Sequence, residues 1–212
     1  MPNPIYSQIK LPDLVVKANQ LANELGFPLM LEGRPTDYQG PPSACIPQVG
    51  KLLQTLAAGK PNGSIGEIGT GAGVGTAWLA SGMIGNAHLI SAEIDITRAN
   101  AVKELFGHHP NIEICSGDWH STMDMNRPFD LLFLDAAPRK DLEYGNWDKM
   151  IQYVKIGGQI VMDDLIPIEQ WPPEWKSNVD MKREFALTNP RAIGVEIRTT
   201  AKTSAVILAR IK

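Results

Sequence analysis

Cysteine is scarce: the 212 residues hold two, Cys45 and Cys115, and they form neither a CxxC pair nor a Cys/His metal pattern. That excludes a cysteine-based metal site, and two thiols in apolar surroundings suit a reducing compartment. No apolar run reaches the ~20 residues that a membrane span needs. The N-terminal MPNPIYSQIK lacks the charged region and apolar core of a secretory leader, so a cytoplasmic protein with no membrane partner is expected. An excess of one charge is missing too. With 20 basic and 23 acidic residues the formal charge is −3, which gives no general electrostatic reason to bind nucleic acid. Internal repeats and low-complexity segments are absent. What remains is an ordinary globular composition, 43% hydrophobic and 20% charged, of a length that suits one α/β domain over 1–212. Small-molecule chemistry is the expectation.

Residues 12–25 place Leu14, Ala18, Leu21, Ala22 and Leu25 on one helical face, with Gly26 as the stop. From Phe27 to Pro42 the composition turns to Pro, Gly, Arg, Asp and Tyr, which predicts a long loop. Ser43 is positioned to cap a second helix through Leu56, although Pro47 and Gly50 weaken its first turn. Beyond it, short apolar runs alternate with helical patterns. Ser64–Ile68, His88–Ile94, Asn111–Cys115, Phe129–Leu134 and Gln159–Met162 read as strands. Ile96–Phe106, with Asp95 as its cap, and Tyr144–Val154, ended by Gly157 and Gly158, read as helices. That alternation predicts a parallel sheet covered on both faces. The tail differs: after a helix over Asp180–Leu187, the strand-like runs Ala192–Arg198 and Thr203–Ile211 are joined by four residues, too few for a parallel crossover. One of the two must run antiparallel.

The most informative stretch is Ser64–Ala80, SIGEIGTGAGVGTAWLA. It reads as strand, glycine turn and helix, with glycine at 69, 71, 73 and 75. Glycine takes positive φ and lets a ligand touch the backbone, and the helix N-terminus behind supplies unpaired N–H groups. A dinucleotide site requires GxGxxG or GxGxxA. Counting from Gly69 puts Val74 in the third place and counting from Gly71 puts Thr76 there, so the fit is poor. The pattern ExGxGxG, from Glu67, Gly69, Gly71 and Gly73, fits. An acid ahead of the loop is awkward beside a pyrophosphate and welcome beside a cationic amine.

This pattern resembles the first motif of the class I S-adenosylmethionine (SAM)-dependent methyltransferases. The resemblance implies a Rossmann-like sandwich: a mostly parallel seven-stranded sheet, an antiparallel C-terminal hairpin strand and helices on both faces. Residues 1–60 would form an N-terminal helical cap region and 61–212 the core. It implies a cofactor set of Glu67, Gly69, Thr70, Gly71 and Gly73 around the loop, with Glu93 accepting both ribose hydroxyls. Asp118 and Trp119 follow the third strand, where the family places the adenine. Asp118 reads equally as a loop cap, and Trp119 as a stacking residue or as core.

Ligands of open parallel sheets bind beyond the carboxyl ends of the strands, where Asp135, Asp163 and Asp164 should converge. A hard divalent cation, Mg²⁺ for preference with Ca²⁺ or Mn²⁺ as substitutes, would relieve their repulsion. In GEIGTGAGVGTAWLA, SAEID, PFDLLFLDA and GGQIVMDD the chain is similar to the metal-dependent O-methyltransferases of the catechol and caffeoyl-CoA type. There Asp135 and Asp163 match the family's metal aspartates, Asp164 replaces an Asn, and Asp135 also borders the cofactor. The family's lysine base, three residues beyond the first aspartate, is Pro138 here, which leaves Lys140 as the reserve candidate. The expected reaction is methyl transfer to a hydroxyl of a small, flat acceptor. Its pocket would be closed by Met30–Pro42, with Arg34 and Tyr38, and by Leu165–Lys176. In the latter, Trp171 and Trp175 read equally as contacts of a homodimer. An NAD(P)-dependent oxidoreductase and an inactive cofactor-binding module are the competing readings.

Overall fold

The mainly apolar run Phe129–Leu134, broken by the half-buried Asp130, forms the central strand β4. The computed structural model describes residues 10–31, 39–40, 42–136 and 147–212. In chain order these give α1 (Asp13–Glu24), α2 (Pro47–Ala58), β1 (Ser64–Ile68), α3 (Val74–Gly82), β2 (His88–Glu93), α4 (Ile96–Phe106) and β3 (Ile112–Ser116). They are followed by α5 (Trp119–Asn126), β4 (Phe129–Leu134), α6 (Trp147–Met150), β5 (Val154–Leu165), α7 (Met181–Thr188), β6 (Ala192–Arg198) and β7 (Ser204–Arg210).

The seven strands are ordered β3-β2-β1-β4-β5-β7-β6. β1 to β5 pair in parallel, and β7 runs antiparallel to both β5 and β6. The expected α/β sandwich with a closing hairpin is therefore the observed fold. Strand alternation divides β4 between two cores. Leu131 and Phe133 face α1 to α4, while Leu132 and Leu134 face α5 to α7. Each such side chain, fully removed from water, stabilises the fold by roughly 1.5–3 kcal/mol, which fixes the sheet and thereby the rim where its strands end. Among the described residues no helix is long and apolar enough to cross a membrane.

Several local expectations are corrected. Ser43 caps nothing; Pro47 opens α2 as its first helical residue, where a missing N–H costs no hydrogen bond. α3 begins at Val74, inside the glycine run, because Gly73 in the left-handed region (φ 80) serves as its N-cap. The helix expected over Tyr144–Val154 is the short α6 followed by a 3₁₀ turn at Ile151–Tyr153, and residues 144–146 lie outside the described residues. Gly157 and Gly158 terminate no helix. They lie within β5, whose register against β4 jumps from Phe129↔Val154 to Leu131↔Gln159. Gly157, at φ 80, accommodates the bulged-out stretch. α5 is an element that the helical periodicity does not announce, since its residues carry no clear apolar stripe.

Candidate functional site

Beyond the carboxyl ends of β1, β2 and β4 lies a cavity of about 620 Å³, a size suited to a small ligand. Its floor is the glycine loop. Gly69 has φ +95, and a Cβ there would meet the carbonyl oxygen of Asp135 at 2.9 Å. The backbones of the β1 and β4 ends therefore approach closely, and the Asp135 N–H donates to the Ile68 carbonyl at 2.9 Å. Gly69, Thr70 and Gly71 line the cavity. Gly73 does not; it faces α4, and a Cβ would meet Val102 Cγ1 at 2.9 Å.

Glu67 is fully buried beneath the loop and is not part of the cavity wall. Its Oε2 accepts from Thr76 Oγ1 on α3 and from Ser91 Oγ on β2, and Ser91 Oγ also shares a 2.6 Å hydrogen bond with Thr70 Oγ1. Burial pushes the Glu67 carboxyl up to about 7; the Ser91 and Thr76 hydroxyls oppose the rise, and the charges of Glu93 and Asp163 add to it. Glu67 thus ties strand, loop and helix together under the cavity.

Glu93, at the end of β2, is 4% exposed and lines the cavity. Its Oε2 accepts the Gly71 N–H at 2.8 Å. Its Oε1 accepts from the Asp95 N–H at 2.9 Å and from Arg98 Nη2 at 2.7 Å. Asp118 takes the cap role, accepting the His120 N–H at 2.9 Å at the start of α5, and it does not line the cavity. Trp119 does, and it is only 6% exposed. One ring face stacks on His120 with centroids 3.7 Å apart. Its indole N–H has no hydrogen-bond partner among the described residues.

Asp135 and Asp164 line the same cavity, and they and the adjacent Asp163 each place a carboxylate oxygen within 4.8 Å of the others. Adjacent strand residues normally point to opposite faces. Here the β5–β7 register shifts between Met162 and Leu165, and Asp164 adopts a left-handed φ of 61, so a bulge brings neighbouring aspartates to one rim. Three hard oxygen donors fit a hard divalent cation. Lys182 Nζ donates to the Asp163 carbonyl at 3.0 Å and lines the same cavity. The Cys45 thiol borders it as well, and burial pushes its pKa well above the ordinary value, reinforced by the charges of Asp163 and Asp135.

Of the expected residues, Arg34, Tyr38, Pro138 and Lys140 lie outside the described residues. Trp171 and Trp175 line no part of the cavity; the Trp171 indole donates to the Ile166 carbonyl at 2.8 Å, and the Arg183 guanidinium sits 5.6 Å from its ring centroid. Sequence reasoning also missed Phe27, Cys45, Arg98 and Lys182 as cavity residues. Arg98 was within reach, since it lies one helical turn beyond the cap Asp95. Lys182 carried no signal, because nothing local says which face of α7 meets the rim.

Residues 67–165 match the model of a methyltransferase domain. Catechol O-methyltransferase from Mycobacterium tuberculosis is 30% identical over 131 residues, 59% of each chain. The matched stretch spans little more than half of that curated relative. The O-methyltransferase from Bacillus cereus, solved in complex with SAH, superposes over 97% of this chain and 93% of its own, with a TM-score of 0.69 at 19% identity. The O-methyltransferase TomG from Streptomyces achromogenes, solved in complex with SAM, covers 97% of this chain and 92% of its own, with a TM-score of 0.70 at 19% identity. The structures share the fold, and the resemblance expected from the glycine motif is borne out.

Proposed function

We propose that this chain is a SAM-dependent O-methyltransferase, binding SAM in the cavity above the glycine loop and methylating a hydroxyl of a small molecule held against the aspartate rim. The observation that carries this reading is the bond between the Gly71 N–H and Glu93 Oε2. It sets an acid for a ribose directly against a loop whose backbone a ligand can touch, in a cavity with acidic groups at its far rim. The poor third-glycine match disfavours an NAD(P) site.

In this reading Gly69, Thr70 and Gly71 hold the amino-acid and ribose portions of SAM against the main chain, and Trp119 lies toward the adenine. Glu67 acts from below by fixing the loop. Asp135, Asp163 and Asp164 would hold a divalent cation, Mg²⁺ first. Bound there, such a cation would orient an acceptor hydroxyl and make it more acidic. The chain's own contribution is alignment, bringing acceptor oxygen, methyl carbon and sulfur into line and keeping water away. Lys140 remains the base proposed from sequence, and among the described residues Lys182 is the lysine that borders the cavity.

The test is transfer of isotopically labelled methyl from SAM to catechol, run with Mg²⁺ and with excess chelator. Labelled methoxy product that depends on Mg²⁺ supports the reading. Binding of SAM without product across a panel of phenols would favour the inactive module instead.

A further inference from the structure

Glu93 does not offer two equivalent oxygens to a ligand. Oε1 receives the Asp95 N–H at 2.9 Å, Arg98 Nη2 at 2.7 Å and Arg98 Nε at 3.3 Å. A carboxylate has about four lone-pair sites over its two oxygens, so three donors take all that Oε1 can give. Among the described residues Oε2 receives only the Gly71 N–H, at 2.8 Å, and keeps about one site.

Arg98 is held in this position from several sides. Its backbone N–H donates to Asp95 Oδ1 at 3.0 Å, at the start of α4. Its Nη1 lies 3.4 Å from Asp95 Oδ2, and its guanidinium sits 5.6 Å from the Phe27 ring centroid. The Glu93 side chain is 5% exposed and that of Arg98 30%, so the pair is largely out of water. Separating it would leave a buried carboxylate without its counter-charge. A ligand that requires both oxygens of Glu93 must displace Arg98, and a ligand that requires one need not.

We propose that Arg98 reserves Oε1 of Glu93, so that this carboxylate reads a ribose through a single hydroxyl, accepted at Oε2. The inference rests on the SAM reading above. It departs from the expectation that Glu93 accepts both hydroxyls, and it makes Arg98 a positioning residue that sets which part of the ribose is recognised. The Phe27 contact also links this pair to the segment that follows α1, which forms part of the cavity wall.

The experiment is calorimetric titration of the wild-type chain with SAH and with its 2′-deoxy and 3′-deoxy analogues, repeated with Arg98→Met. In the wild type, one analogue is expected to bind at least tenfold more weakly than SAH and the other within about threefold, because a hydrogen bond to a charged acceptor is lost in only one of them. In Arg98→Met, Oε1 is released and both analogues should bind at least fivefold more weakly than SAH does to that variant. A purely structural role for Arg98 would weaken all three ligands alike and leave their ratios unchanged. Comparable losses for both analogues in the wild type, or no loss for either, would overturn the inference while leaving the SAM reading in place. Failure of SAH itself to bind the wild type would overturn both. The wild-type comparison is decisive even if Arg98→Met does not fold.

Discussion

Thr70 Oγ1, on the cavity wall, and Ser91 Oγ, on β2, lie 2.6 Å apart, and Ser91 also donates to the buried Glu67 carboxylate. The loop that would hold a cofactor is thereby connected to a carboxyl whose folded-state pKa is raised from 4.5 to about 7. Below pH 4.5 both folded and unfolded chains hold this proton. Between 4.5 and 7 the folded state keeps it while the unfolded state loses it, so stability falls as pH rises. The full penalty, on the order of 3 kcal/mol, is present above pH 7. Glu67→Gln cannot ionise. Its Tm should therefore gain on that of the wild type between pH 5 and pH 8. Parallel pH profiles for the two proteins would contradict this.

The architecture was legible because periodicity and punctuation agreed. Phe129–Leu134 could only be central, Asp95 capped α4 as expected, and the four residues between the last two runs forced a hairpin. The site was legible as far as motifs carry it: Gly69, Gly71, Glu93, Asp135 and Asp164 come to one cavity, and Asp163 clusters with the last two. What was not legible depends on contacts between distant segments. That Glu67 lies under the loop is set by Ser91 and Thr76, on two other elements. The bulge that turns Asp164 toward Asp135 depends on pairing with β7. The tryptophans of the loop after β5 looked suited to an acceptor, yet Trp171 is tied to Ile166 and Arg183.

Gly69→Ala should damage the loop through geometry alone. An L-residue at φ +95 is strained by roughly 1–3 kcal/mol, and the new methyl would press on the Asp135 carbonyl. Denaturant melts should show that loss, and calorimetry should show SAH affinity reduced more than tenfold. Unchanged affinity would mean that the loop does not touch the ligand.

The rim aspartates predict different outcomes for two substitutions. If the rim holds Mg²⁺ as proposed, Mg²⁺ should raise the wild-type Tm, and Asp163→Ala, which removes one of the three clustered carboxylates, should abolish both that rise and any Mg²⁺-stimulated methyl transfer. Asp164→Asn keeps an oxygen donor and tolerates the left-handed φ of 61, and should keep Mg²⁺-stimulated activity within about fivefold. SAH affinity should stay within about threefold of wild type in both. Full activity in excess chelator would remove the cation from the account.

The two thiols should react slowly and in a fixed order. Burial pushes Cys45 well above the ordinary thiol value, while Cys115 is raised to about 11 by burial and the adjacent Glu113. At pH 8 iodoacetamide should modify Cys115 about two orders of magnitude more slowly than a free thiol. Cys45, which is buried and borders the cavity beside Asp135 and Asp163, should react more slowly still. Peptide mass mapping over time checks the order, and early labelling of Cys45 would contradict the burial described for it.

The central claim is that the cavity over Gly69–Gly71 is built for SAM, and titration of the purified chain with SAH and, separately, with NAD tests it most directly. The account predicts a saturable heat with SAH in the micromolar range or tighter, one site per chain, weakened at least tenfold by Glu93→Ala, and no saturable heat with NAD. Saturable NAD binding with no response to SAH would contradict it.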